Sequence, residues 1–305
     1  MTKAFVFPGQ GAQAIGMGKA FADAYPAAKA VFDEVDEALG QNLSALIWEG
    51  DIADLTLTEN AQPALMATSM AAMAALNAEG VQVTDAAFVA GHSLGEYSAL
   101  CATGVLSLAD TARLLKIRGQ AMQAAVPVGI GAMAALLGLD FAGAQAVAEA
   151  AAQGEVCQAA NDNDPGQVVV SGHKAAVERA TVLAKEAGAK RAIILPVSAP
   201  FHCSLMEPAA KVMEAALKEV TFNVPSVPIV VNVTAEACSD PDQLRAHLVA
   251  QVTGSVRWRE SVLYMGAQGV TEIWEIGAGK ALSGMIRRIN REITCKAING
   301  PSDVT

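Results

Sequence analysis

The chain is poor in positive charge, cysteine, histidine and long apolar runs, and each shortage argues against a class of function. Lysine and arginine number 21 against 31 aspartates and glutamates, a formal net charge of -10. That balance argues against a broad nucleic-acid-binding face, since phosphates are held by clustered cations. The five cysteines (Cys101, Cys157, Cys203, Cys238, Cys295) are odd in number, scattered and never paired as C-x-x-C. They support neither a disulfide framework nor a zinc knuckle and are expected to be reduced and mostly buried. Four histidines, none at ligand spacing to another histidine or a cysteine pair, give a protein-bound metal little to coordinate it. The N-terminal MTKAFVFPGQG carries only the apolar stretch AFVF before Pro8, too short for a signal-peptide core or a membrane span. A soluble, cytoplasmic protein is expected, with no metal, no nucleic acid and no membrane among its partners.

Aromatics are also scarce, at 5% of residues, whereas hydrophobic residues reach 52%, carried by alanine, leucine, valine and methionine. Such a mixture suits many helices packed around a sheet, and 305 residues suffice for one large domain bearing a smaller one. KAFVF has strand composition and stops at Pro8–Gly9. Pro26 and Pro63 stand where helices can begin, so PALMATSMAAMAALNAEG reads as one long, mostly buried helix ending at Gly80. DAAFVAG is the next strand and SLADTARLLKIRGQAMQAA the next helix, with Ser107 and Asp110 in capping register. Strand and helix alternate, which predicts a largely parallel sheet. Between Pro127 and Pro196 come AMAALLGL, a helix near 141–152, EVCQAAN, QVVVSG, a helix near 174–187 and RAIILP. That βαββαβ order is ferredoxin-like. The expected division is a large α/β domain from 1–126 and 198–305 with a small subdomain at 127–197. The large domain resumes through helix, the strand VPIVVNV, two more helices, the strand TEIWEIG and a last helix from Lys280.

FVAGHSLGEYSAL sets Ser93 between two glycines directly after an apolar run. In a nucleophile elbow the serine occupies a tight strand-to-helix turn and side chains at the flanking positions would collide with backbone. A helix N-cap serine is the blander reading, but a cap does not call for Gly91 and Gly95. A serine hydroxyl needs a base, usually histidine. His92 is its neighbour on the turn, His173 opens a subdomain helix and His247 lies in a polar helical stretch. His202, in SAPFHCS where the chain re-enters the large domain, is placed to overhang the elbow, although it also reads as a plain loop histidine. FPGQG after the first strand offers Gln10 as one oxyanion donor, and the backbone N–H of Leu94 is a second. Gly9, Gly11 and Ala14 also fit a loose G-x-G-x-x-A dinucleotide fingerprint, but the acidic residue expected about 20 positions on falls in the helical AVFDEVDEAL. EIGAGKA resembles a phosphate-binding loop only superficially, with Trp274 in place of the leading glycine and Ala281 in place of Ser/Thr.

FPGQGAQ, QPAL, GHSLGEYSAL, IRGQAM, NDNDPGQVVVSG and APFHCSLM, in this order along essentially the whole chain, resemble the malonyl-CoA:acyl carrier protein transacylase family. GAQ departs from a serine-containing form common there. The resemblance implies an α/β-hydrolase-like large domain, a ferredoxin-like insert and an active site in the cleft between them. It implies Ser93 as the acylated nucleophile, His202 as its base, Gln10 and Leu94 as the oxyanion hole, and Arg118 as the clamp on the free malonyl carboxylate. A planar guanidinium suits that task, although a solvated helix-face arginine would fit the spacing as well. Gln251 matches the position whose backbone carbonyl orients the histidine, and Gln62 and Asn161 match pocket positions. Phe201 matches the choice of malonyl-selective members. The family uses no carboxylate third member, and neither Asp162 nor Asp164 is assigned that role.

Two half-reactions follow from the resemblance: malonyl-CoA acylates Ser93 and coenzyme A leaves, then the phosphopantetheine thiol of acyl carrier protein takes the malonyl group. The substrate and partner are malonyl-CoA and acyl carrier protein; no cofactor is required and a monomer is expected. Carrier proteins of this type are acidic, so docking needs a local basic cluster. Lys190 with Arg191 is favoured over Arg257 with Arg259 and over Arg287, Arg288 and Arg291, although a solvated strand end reads equally well. Fatty acid synthesis is the expected pathway, with a polyketide pathway as alternative. A serine esterase or thioesterase would share the elbow but pass the acyl group to water, and a noncatalytic scaffold would carry no acyl adduct.

Overall fold

Ala4 through Phe7 are fully buried, as expected of a strand covered on both faces of a parallel sheet. The computed structural model describes residues 1–304. Its strands, in chain order, are β1 (Lys3–Phe7), β2 (Ala86–Gly91), β3 (Gly131–Leu137), β4 (Cys157–Asp164), β5 (Gln167–His173), β6 (Arg191–Ile194), β7 (Ile229–Val230), β8 (Ala237–Cys238), β9 (Glu272–Ile276) and β10 (Thr294–Ile298). The large sheet has the order β10-β9-β1-β2-β7-β8 and is parallel except for the β7–β8 pair. The small sheet, β4-β5-β3-β6, is antiparallel throughout. Helices Phe141–Ala152 and Lys174–Glu186 complete the βαββαβ unit that the sequence predicts.

Period-two alternation decides what each sheet face meets. On β1, Phe5 and Phe7 enter the main core while Ala4 and Val6 enter a second core with Trp258 and Val262 on the other face. On β3, Ala132, Ala134 and Leu136 pack under the two subdomain helices, whereas Met133 and Ala135 join the main core. The small sheet is thereby fastened to the large body by its own second face. Two ion pairs reinforce the seam: Arg259 holds Asp162 at 2.9 Å and Arg288 holds Asp164 at 2.7 Å.

Three local expectations are corrected. The long helix runs Thr58–Ala78 and contains Pro63 rather than starting at it. Proline removes one helical hydrogen bond, but tertiary anchors hold the preceding turn: Asn60 donates to the Asp54 carbonyl and Gln62 accepts from Arg118. The expected strand VPIVVNV pairs only at Ile229–Val230, because the chain then turns to bring Asn232 against the elbow. The edge strand β10 was not expected; its residues are mostly half-exposed, so it lacks the apolar run of an inner strand. Among the described residues, no helix is long and apolar enough to cross a membrane.

Candidate active site

The β2-to-helix turn is built by contact too close for any side chain. A Cβ at position 91 would lie 1.9 Å from the Gly95 carbonyl carbon, and one at position 95 would lie 2.3 Å from the Phe7 carbonyl oxygen. Glycine at both positions lets helix Gly95–Ala102 start directly against β1 and β2. Ser93, between them, takes a left-handed φ of 54°, a conformation that non-glycine residues hold only where the surroundings impose it. Its N–H donates to Asn232 Oδ1 at 2.9 Å, and Asn232 Nδ2 donates to the Gly91 carbonyl at 2.7 Å.

Ser93 Oγ lies 2.8 Å from His202 Nε2, and His202 Nδ1 lies 2.9 Å from the backbone carbonyl of Gln251. A carbonyl can only accept, so Nδ1 carries the proton and Nε2 presents its lone pair to the serine hydroxyl. His202 is buried and also has a left-handed φ, 58°. Burial, then the positive charge of Arg118, push its pKa down to about 3. The imidazole therefore stays neutral, and able to take a proton, well below pH 6.5. Inactivation of Ser93 by phenylmethylsulfonyl fluoride should accordingly change less than about threefold between pH 8 and 5, whereas an ordinary histidine would lose about thirtyfold of its neutral form. A midpoint near 6.5 in the inactivation rate would refute this account of His202.

Arg118, on helix Leu108–Ala125, is 1% exposed. Its Nη1 donates to Gln62 Oε1 at 2.8 Å, and its Nη2 donates to Gln251 Oε1 at 2.9 Å and to Ser93 Oγ at 3.2 Å. The Nε–H has no partner among the described residues. A guanidinium carries five N–H donors, so donor capacity remains for an anion, and an acyl chain esterified to Oγ would start within one hydrogen bond of it. Burial works against the charge, and nearby Tyr97 and Glu96 favour it.

The structure thus brings Ser93, His202, Arg118, Gln62 and Gln251 into one cluster. Phe201 is buried in the main core beside His202. Leu94 is buried at the helix start. Gln10 is half-buried in the turn after β1, and that turn runs beside the elbow because His92 N–H donates to the Phe7 carbonyl at 3.1 Å. Asn161 is buried on β4, but it is Asn163 that reaches the elbow, 2.8 Å from His92 Nε2. Lys190 and Arg191 lie outside the cluster, exposed at the start of edge strand β6.

Sequence reasoning missed two members. Glu96, 1% exposed, and Asn232, 1% exposed, are bonded to each other and to Gln251 behind the serine. Glu96 follows the elbow within the same motif, which was a usable signal; nothing local in NVT marks Asn232. A cavity of about 560 Å³ between helix Phe141–Ala152 and β4 ends at Ser204, two residues past His202. None of Ser93, His202 and Arg118 lines it, so the hydrogen-bonded cluster, not this hollow, marks the chemistry.

A family model described as acyl transferase domain matches residues 4–288. The malonyl CoA-acyl carrier protein transacylase of Escherichia coli (strain K12) is 48% identical over 299 residues, covering 98% of this chain and 96% of that one. The crystal structure of acyl-carrier-protein-S-malonyltransferase from Bartonella henselae matches with a TM-score of 0.98 at 53% identity, covering 100% and 97% of the two chains. A malonyl-transacylase in complex with its holo type II PKS acyl-carrier protein matches with a TM-score of 0.97 at 41% identity, over 100% of this chain and 98% of that one.

Proposed function

This chain belongs to the acyl transferase family, and from that premise we infer that it moves a malonyl group from coenzyme A to the phosphopantetheine thiol of acyl carrier protein through an ester on Ser93. The observation that carries the reading is the guanidinium of Arg118, buried within 3.2 Å of the Ser93 hydroxyl that His202 engages. A nucleophile and base serve any acyl transfer. A buried, incompletely bonded cation beside them calls for an acyl group with a second carboxylate.

His202 Nε2 takes the Ser93 proton as Oγ attacks the thioester carbonyl. Leu94 N–H and Gln10 receive the oxyanion, each such donor contributing about 3 kcal/mol to the transition state. Collapse of the tetrahedral adduct breaks the carbon–sulfur bond, and the proton on His202 passes to the departing coenzyme A thiol. The carrier's thiol then gives His202 its proton and attacks the ester, and Oγ recovers the proton as the malonyl thioester leaves. Serine, histidine and the two thiols complete both half-reactions, so the reading needs no resident metal or redox cofactor. It includes a cytoplasmic, monomeric enzyme that supplies fatty acid synthesis. A brief exposure to malonyl-CoA should add one malonyl mass to the intact protein, located on Ser93; an unmodified chain, or adduct formation followed by hydrolysis that outruns transfer to a pantetheine thiol, would overturn the reading.

For the carrier we propose the start of β6 as the landing point. Lys190 and Arg191 are exposed there, followed by Ile193 and Ile194 at 44% and 46% exposure. Of the rival arginines, Arg257 is paired with Glu260, Arg259 with Asp162 and Arg288 with Asp164, whereas Arg287 and Arg291 are exposed and have no carboxylate partner among the described residues. Replacing Lys190 and Arg191 together by glutamate should raise the KM for an acidic carrier protein about tenfold or more while leaving the rate of Ser93 self-acylation within twofold. Equal loss in both steps would refute docking at this edge.

A further inference from the structure

We propose that Glu96 is a positioning residue for acyl transfer: through Gln251 and Asn232 it holds the Arg118 guanidinium, the His202 imidazole and the Ser93 backbone in register. The inference rests on the functional reading above and deepens it. Glu96 reaches neither Ser93 Oγ nor His202. Its Oε2 accepts from the Asn232 N–H at 2.9 Å and from Gln251 Nε2 at 3.0 Å, and those two residues are the ones that touch the nucleophile from behind.

Gln251 joins the parts of the site. Its side-chain Nε2 donates to the Ser93 carbonyl at 2.9 Å as well as to Glu96, with Asn232 Oδ1 at 3.3 Å, and its Oε1 accepts from Arg118 Nη2 at 2.9 Å. Its backbone carbonyl takes the His202 Nδ1 proton. A side-chain amide has two ends of similar shape and opposite character. Turned over, Gln251 would set its oxygen against three acceptors and its NH₂ against a guanidinium. Glu96 is the one member of that acceptor set that can carry a charge, so in its ionised form it contributes most to fixing the amide.

Charge supports the same assignment. Arg118 is fully enclosed and, among the described residues, forms no ion pair with a carboxylate; the acid that acts on it is Glu96, across the Gln251 amide. Glu96 sits in the first turn of helix Gly95–Ala102, where the helix dipole favours an anion. Burial pushes its carboxyl up to about 7, while the Asn232 and Gln251 donors and Arg118 pull it back. Both donors meet the same oxygen, Oε2, so Glu96→Gln keeps the shape and can still offer an oxygen there, but it removes the negative charge that holds the Gln251 amide and, across it, the guanidinium.

The test compares the wild type, Glu96→Gln, Glu96→Asp, Arg118→Ala and the double variant Glu96→Gln/Arg118→Ala with malonyl-CoA and acetyl-CoA as donors. In Glu96→Gln the preference for malonyl over acetyl, as a ratio of kcat/KM, should fall about tenfold, mainly through the malonyl-CoA KM, and acetyl transfer should fall about threefold. The double variant should lose no more preference than Arg118→Ala alone, because Glu96 acts through that arginine. Glu96→Asp keeps the charge at shorter reach and should fall between wild type and Gln; it carries the comparison if the Gln variant does not melt cooperatively. An unchanged preference, or additive losses in the double variant, would overturn the inference. Inactivation by phenylmethylsulfonyl fluoride needs His202 but no malonyl group, and should slow about threefold in Glu96→Gln. If the wild type takes up no malonyl, the functional reading fails and this rate alone decides for or against Glu96.

Discussion

Ser93→Ala should abolish the malonyl adduct and lower transfer by about 10⁵-fold, some 7 kcal/mol of barrier. The size follows from the geometry. Oγ is the atom His202 faces at 2.8 Å and the atom Arg118 approaches at 3.2 Å, and no other hydroxyl has been given both contacts. Folding should be nearly untouched, since alanine meets the same left-handed backbone as serine at φ 54°. A melting temperature within a few degrees of wild type, with no mass shift after malonyl-CoA, is the expected pair of results. An adduct that persists at another residue would place the nucleophile elsewhere.

Arg118→Ala should be next in size, reducing kcat/KM with malonyl-CoA by 10²- to 10³-fold. Removing one partner from a buried, hydrogen-bonded charge pair costs about 3 to 4 kcal/mol, and the malonyl carboxylate would be the group left unpaired. Acetyl-CoA has no such carboxylate, so its transfer should fall less than tenfold. The contrast between the two donors is the informative quantity, because Arg118 also braces Gln62 and Gln251 and its loss will slacken the site for any acyl group. Equal losses with both donors would make the arginine a brace only.

Much of this was legible in the chain because it depends on local grammar. G-x-S-x-G after an apolar run announces a turn whose geometry is dictated by backbone clashes, and SAPFHCS lies where the insert hands the chain back. The small subdomain was equally readable from the order of its short elements. What escaped depends on neighbours distant in sequence. Pro63 reads as a helix start until Asn60 and Gln62 are seen pinned by partners outside the helix. The strand VPIVVNV looks complete until Asn232 leaves the sheet to bond the elbow. Glu96 and Arg118 are charged letters whose burial no periodicity reveals, and the side chain of Gln251 gains its meaning from four partners on separate elements.

The glycines at 91 and 95 carry a last consequence. With less than 2 Å available beside Gly91, the attacking oxygen sits on a fixed pedestal that substitution cannot tune. On the function proposed above, retargeting to a longer or branched acyl chain would have to proceed through the side chains gathered beside that oxygen, Arg118 and the Gln62 bonded to it, with changes of diet and no relocation of the point of attack.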